Sequence, residues 1–199
     1  MKTTLLNKAK QATLIASLGL GIITHAHAGL VGVKSIEITN ASGGTWLQVA
    51  EVFANNMSNV NVALSGTAST NLGSYSAASS PNKAIDGSTN GAYPNIFHSA
   101  AQLGGVLTIS LATVEELFSL QIFGRTDCCS ERDLFTVSFL DQKNNLLYTT
   151  GADASGSSHE SFLKLPNTNT NNVPEPESLA LVGLGLLGLA ALRRRKMAA

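Results

Sequence analysis

Cysteine, tryptophan and histidine are nearly missing from this chain, with 2 Cys, 1 Trp and 4 His in 199 residues. Two cysteines cannot build a scaffold of several disulfide staples. Charge is sparse as well, at 13% of residues. Residues 29–172 carry six basic side chains against eleven acidic ones, and the whole chain is neutral only because its ends are basic. An acidic centre with no basic stripe is a poor partner for nucleic acid. No internal repeat and no convincing amphipathic helix appear in that centre.

The two ends are unlike the middle. Lys2, Lys8 and Lys10 precede a small, apolar stretch from Ala12 to Ile23, and Ala26-His27-Ala28 gives the A-x-A pattern at which a signal peptidase cuts. Residues 1–28 thus read as a secretory signal peptide, with a short membrane anchor as the alternative. At the other end Pro174-Glu175-Pro176 precedes the apolar run Leu179–Leu192, and Arg193, Arg194, Arg195 and Lys196 follow. Fourteen residues of helix span about 21 Å, short of the ~30 Å hydrocarbon core, and the basic cluster would stay cytoplasmic. Taken alone this is a weak or transient membrane anchor. Its order, spacing and terminal position resemble the PEP-CTERM sorting signal over residues 173–199. That resemblance implies a Gram-negative host that makes exopolysaccharide, and an exosortase-type protease that cuts near the Pro-Glu-Pro.

Between these ends the pattern has period two. Ile36 and Ile38, then Leu107, Ile109 and Leu111, then Phe118, Leu120 and Ile122, then Phe135, Val137 and Phe139 alternate with polar residues. Asn-, Gly- and Ser-rich pieces separate them, such as Asn40–Gly44 and Gly151–Ser158. Half-buried antiparallel strands follow from this pattern, and several of them without a helix predict an all-β sandwich or jelly roll over residues 29–165. Residues 166–172 read as a polar linker.

The chemistry concentrates in Arg125-Thr126-Asp127-Cys128-Cys129-Ser130-Glu131-Arg132, which holds every arginine and cysteine of the central region. It directly follows the strand pattern ending at Phe123, so it should be a loop at one end of the sandwich, where rigid scaffolds present binding groups. Two guanidiniums offer fixed planar donors, and Asp127 can hold one of them in its plane. The alternative is an ordinary Arg125–Asp127 ion pair with Arg132 solvated. Adjacent cysteines have Cα atoms about 3.8 Å apart, below the usual disulfide range. A bond between them would set a compact apolar surface beside the donors; free thiols or links to another chain are the other options. Directed donors beside an apolar plate suit a sugar.

These residues resemble the signature of the F-type, fucose-binding lectins, whose fold is a discoidin-like, galactose-binding type of jelly roll: His, 26 residues, Arg-x-Asp, 4 residues, Arg or Lys. Here His98, Arg125, Asp127 and Arg132 stand at that spacing. The resemblance implies that His98, Arg125 and Arg132 donate hydrogen bonds to fucose, that a Cys128–Cys129 disulfide packs on the ring, and that Asp127 is a buttress. Lys83-Ala84-Ile85-Asp86-Gly87-Ser88 looks like the family's A-x-D-G loop, which implies a structural Ca2+ held by Asp86, by backbone oxygens of Lys83 and Ser88, and by a group near Asn95. An Asx turn without metal is the other reading. Leu47-Gln48-Val49-Ala50-Glu51-Val52 resembles the family's closing strand, which makes Glu51 a further calcium ligand in a permuted arrangement. Strand alternation places Glu51 on the apolar face of Leu47, Val49 and Phe53, where a carboxylate needs a partner. The chain departs from the family between His98 and Arg125, where a Trp-rich stretch is usual and Gly104-Gly105-Val106-Leu107 stands instead.

The expected function is therefore a calcium-stabilised lectin for terminal fucose or a similar sugar, on a host glycan or the cell's own exopolysaccharide, at the cell surface or in the extracellular matrix. The alternative is a matrix or adhesion protein that kept the sandwich and lost monosaccharide binding. A glycosidase needs two placed carboxylates, and no second acid is obviously paired with Asp127. A small sugar site binds weakly, which predicts an oligomer or a dense surface array.

Overall fold

The computed structural model of the protein describes residues 29–168 and Gly183. The signal-peptide and sorting-signal assignments therefore lie outside the described residues. Nine strands form among the described residues: β1 (Leu30–Asn40), β2 (Gln48–Val49), β3 (Glu51–Asn56), β4 (Thr67–Thr70), β5 (Phe97–His98), β6 (Val106–Phe123), β7 (Leu134–Leu140), β8 (Leu146–Asp153) and β9 (Glu160–Lys164). Seven of them join one sheet, in which β1 lies between β6 and β7, and β2 and β5 make a small second sheet. Every pairing is antiparallel. The all-β expectation holds, and the layout is consistent with a β-sandwich.

Alternation decides the core. Ile36 and Ile38 of β1, Leu107 and Ile109 of β6, and Phe135, Val137 and Phe139 of β7 are all buried while their neighbours are less so. In register, Ile36 sits between Ile109 and Phe139. Cross-strand apolar pairs of this kind are the unit of sheet stabilisation.

Two sequence expectations are corrected. The patterns at Leu107–Leu111 and Phe118–Ile122 belong to one strand of 18 residues. Its register against β1 jumps between Val33↔Glu115 and Ser35↔Ser110, and Lys34 Nζ donates to the carbonyls of Leu111 and Ala112 at 2.5 and 3.0 Å. That irregularity hides the continuity from a period-two reading. Conversely, Trp46–Phe53 is not one strand. The chain leaves the small sheet at Ala50, whose N–H donates to Phe123 at 2.8 Å, and enters the large one as β3. The segment Leu47–Val52 is buried throughout, so alternation carries no facing information there.

Contact also continues past residue 165. Thr168 N donates to the Gly29 carbonyl at 3.3 Å, and Thr168 Oγ1 accepts from Val31 N at 3.1 Å. The start of the expected linker is thus zipped onto β1.

Candidate carbohydrate site

β6 ends at Phe123 and delivers Gly124 and Arg125 to a loop that returns through the 3-10 turn Ser130–Arg132. Thr126 N donates to Gly91 O at 2.9 Å, and Tyr93 N donates to Asp127 Oδ2 at 3.2 Å. The arginine loop is therefore stitched to residues 91–93, just beyond the Asp86 turn. Asp127 grips Arg125 through Nε to Oδ1 at 2.5 Å and a second bond to Oδ2 at 3.3 Å. This grip holds the Asp127 carboxyl below its ordinary pKa and fixes the guanidinium plane, while its other N–H groups form no hydrogen bond among the described residues.

A cleft of about 370 Å³ opens here, lined by Trp46, Tyr75, Tyr93, His98, Arg125, Cys129 and Arg132. Cys128 and Cys129 are joined as a vicinal disulfide with Cα atoms 3.8 Å apart. Cys129 adopts a left-handed backbone, φ 63°, which turns the chain into the Ser130–Arg132 turn. Arg125 lies 5.7 Å from the Tyr93 ring centroid and Arg132 4.6 Å from that of Trp46, at cation–π distance. Arg132 also faces Glu131 at 3.4 Å, an exposed and loose pair. Tyr75 is 60% exposed and leans on His98 at 4.8 Å. The open apolar surfaces are thus Tyr75 and the disulfide, because the Trp46 and Tyr93 rings already carry guanidiniums.

His98 lines the cleft with its ring, but its nitrogens have protein partners. Nδ1 contacts the Ser99 carbonyl at 2.9 Å, so it carries the proton. Nε2 then accepts from Gln48 Nε2 at 2.7 Å. Burial, and then the two arginines, hold the imidazole below its ordinary pKa and keep it neutral. As placed, neither nitrogen is left to donate to a ligand.

The Asp86 turn is the second constellation. Asp86 Oδ1 accepts from Ser88 N at 3.0 Å, an Asx turn, and Oδ2 pairs with Lys83 Nζ at 3.1 Å. Gly87, with φ +84°, adopts a conformation that favours glycine. Its N–H donates to Glu51 Oε2 at 2.9 Å. Glu51 is fully buried, and its Oε1 has no partner among the described residues. Burial, and then the Asp86 charge, push its pKa up to about 7. A buried carboxylate with a vacant oxygen beside a second carboxylate fits a hard cation. Among the described residues no group of three or more His, Cys, Asp and Glu side chains forms, so backbone carbonyls such as those of Lys83 and Ser88 would complete the set. Asn95 is engaged in its own turn, with Nδ2 donating to Ala92 O at 3.3 Å.

Several residues escaped the sequence reading. Tyr75 and Tyr93 wall the cleft; each is an isolated aromatic in a Ser-, Asn- and Gly-rich loop, which was the available signal. Gln48 fixes His98 through the β2–β5 pairing. Asp133 is completely buried; its Oδ2 accepts from Arg125 N at 2.9 Å and its Oδ1 has no partner among the described residues. Burial pushes its pKa up to about 7. A Cβ on Gly124 would collide with this carboxylate, so glycine is required there. His159 is half-buried and accepts from Gly124 N at 2.8 Å through its carbonyl.

No curated protein and no solved structure matches the chain. A family model of the PEP-CTERM protein-sorting motif matches residues 172–196. The C-terminus is a PEP-CTERM sorting signal, which marks a secreted protein processed by an exosortase.

Proposed function

We propose that the protein is a carbohydrate-binding lectin that recognises terminal fucose or a similarly configured sugar, at the surface or in the exopolysaccharide of a Gram-negative cell. The observation that carries this reading is the cleft itself, in which two guanidiniums held by Asp127 and Trp46 stand beside Tyr75 and the vicinal disulfide. Guanidinium donors pair with ring hydroxyls, while the tyrosine and the disulfide cover the C–H face. Arg125 and Arg132 are the donors, Asp127 is the buttress, and His98 is a wall whose orientation Gln48 fixes. A Ca2+ held by Glu51 and Asp86 would neutralise the Glu51 carboxylate and stiffen the turn that leads to residues 91–93.

The other reading is a matrix or adhesion protein that has lost monosaccharide binding. One observation favours it: both His98 nitrogens are bonded within the protein. Trp46 separates the two, because it is the only tryptophan of the chain and lines the cleft. On titrating the full-length protein with L-fucose in calcium, Trp46 fluorescence should change saturably, and the change should vanish in Arg125→Ala. A flat trace with fucose, galactose and fucosylated oligosaccharides alike would leave the matrix role standing.

A further inference from the structure

β9 is an edge strand. It pairs with β6 on one side, and no backbone hydrogen bond joins its other side to the described residues. We propose that this edge is a self-association surface, on which β9 of a second copy adds antiparallel about a two-fold axis through Phe162. The surface stands apart from the sugar reading and goes beyond it.

Three features carry the assignment. The first is which backbone groups are free. Leu165 N donates to Phe118 O at 3.0 Å and Gly124 N donates to His159 O at 2.8 Å, so the odd-numbered residues of this segment face β6. Backbone direction alternates along an antiparallel strand, so the N–H and C=O groups of Glu160, Phe162 and Lys164 point to the open side. β8 meets β9 through Asp153 N, which donates to Ser161 Oγ at 3.2 Å, a side-chain bond that leaves this backbone edge unpaired. The outer edge of β3 is different, because Val62 N donates to Ala54 O at 2.8 Å and Asn56 N to Val60 O at 3.0 Å.

The second is charge complementarity. Glu160, Phe162 and Lys164 are all exposed, Phe162 at 61%. Charges on an edge strand normally deter strand addition. Here they are of opposite sign and stand two residues to either side of the phenylalanine. In the register centred on Phe162, each Glu160 faces Lys164 of the other copy, and the contact occurs twice. Parallel pairing in register would set Glu160 against Glu160, and like charges directly opposite are destabilising. A slip of two residues would lose both ion pairs.

The third is the apolar face. Phe162 lies in one cross-strand row with Gln121 and Phe53, and Phe53 meets Phe123 edge-on at 5.2 Å. Opposed Phe162 residues in the pair would have Cα atoms about 5.5 Å apart, within reach for ring contact. Glu160 accepts from Gln121 Nε2 at 3.1 Å, and Lys164 Nζ lies 5.7 Å from the Phe118 ring centroid, so both charges are already held by neighbouring groups. β9 begins beside Gly124, the residue before Arg125. Antiparallel addition therefore puts the two arginine loops at opposite ends of the joined strands, which suits a divalent cross-linker.

Five residues a side is far below the ~20–30 of a standard interface, so the dimer should be weak, with a Kd on the order of 10–100 μM. Sedimentation of the full-length protein from ~1 μM to ~1 mM tests it, and a shift from monomer to dimer is expected. Glu160→Lys and Lys164→Glu each set like charges opposite one another twice, and each should weaken self-association about tenfold. Both positions are exposed, so the fold should survive. An equimolar mixture of the two variants restores an opposite charge at every facing position and should dimerise as the unaltered protein does, as should the Glu160→Lys/Lys164→Glu double variant. A protein that stays monomeric throughout overturns the proposal. So does association that both single variants leave unchanged, which would place it on another surface, or single variants that remain apart when mixed.

Discussion

Asp127 and Asp133 sit on the same loop and hold the same arginine, yet their environments are opposite. Asp127 is on the outer rim, partly exposed, and grips the Arg125 side chain. Asp133 is beneath the loop, fully buried, and holds only the Arg125 backbone N–H. The guanidinium lowers the pKa of the first, and burial raises that of the second to about 7. The outer carboxylate therefore orients a donor at little structural cost, whereas the inner one sets the loop's path at the expense of a buried, half-satisfied group. Glu51 repeats the inner arrangement under the Asp86 turn, with one oxygen on Gly87 N and the other vacant.

The sharpest way to break this contrast is at the inner carboxylate. Asp133→Ala leaves the Arg125 N–H buried without its acceptor and opens a void, and should cost about 3 kcal/mol in urea denaturation. Gly124→Ala drives a methyl into the Asp133 carboxylate and should cost about 2 kcal/mol.

The titration prediction is next in size. Glu51 and Asp133 have folded pKa values raised from 4.5 and 3.8 to about 7. Between those limits the folded state binds more protons than the unfolded one. Their contribution to stability is thus most favourable below about pH 4 and declines as pH rises towards 7. In EDTA, Glu51→Gln and Asp133→Asn should each flatten that decline in melting temperature against pH. Added Ca2+ should remove the Glu51 part alone, because a bound cation favours the ionised carboxylate. An unchanged pH profile in Glu51→Gln would contradict the buried, under-partnered state of this group.

The smallest stability effect is at the outer carboxylate. Asp127→Ala removes a partly exposed pair and should cost less than about 1 kcal/mol, yet it frees Arg125 and should weaken sugar binding at least tenfold by calorimetry. Loss of stability comparable to Asp133→Ala would erase the distinction between rim and support.

The contrast also explains what the sequence discloses. Asp127 was legible because its partner is two residues away, and a local spacing needs no fold to be read. The strands of β1 and β7 were legible for the same reason, since one face of each is buried and period two survives. Asp133 was not, because nothing near it in sequence distinguishes a buried aspartate from a solvated one. Tyr75 and Tyr93 are brought to His98 only by the loops around β5. Gln48 reached His98 through a sheet switch at Ala50, inside a segment so uniformly buried that alternation vanishes. The partners of His98 were not legible on the same ground, since a motif position says which residue is present and not which groups its nitrogens meet.

The most direct test of the central claim is calorimetric titration of the full-length, oxidised protein with L-fucose in calcium, beside Arg125→Ala. Saturable heat that the substitution abolishes is the predicted result, and it would locate binding at the arginine cleft. No heat from a folded protein, or heat that Arg125→Ala leaves unchanged, would contradict a sugar site built on these two guanidiniums.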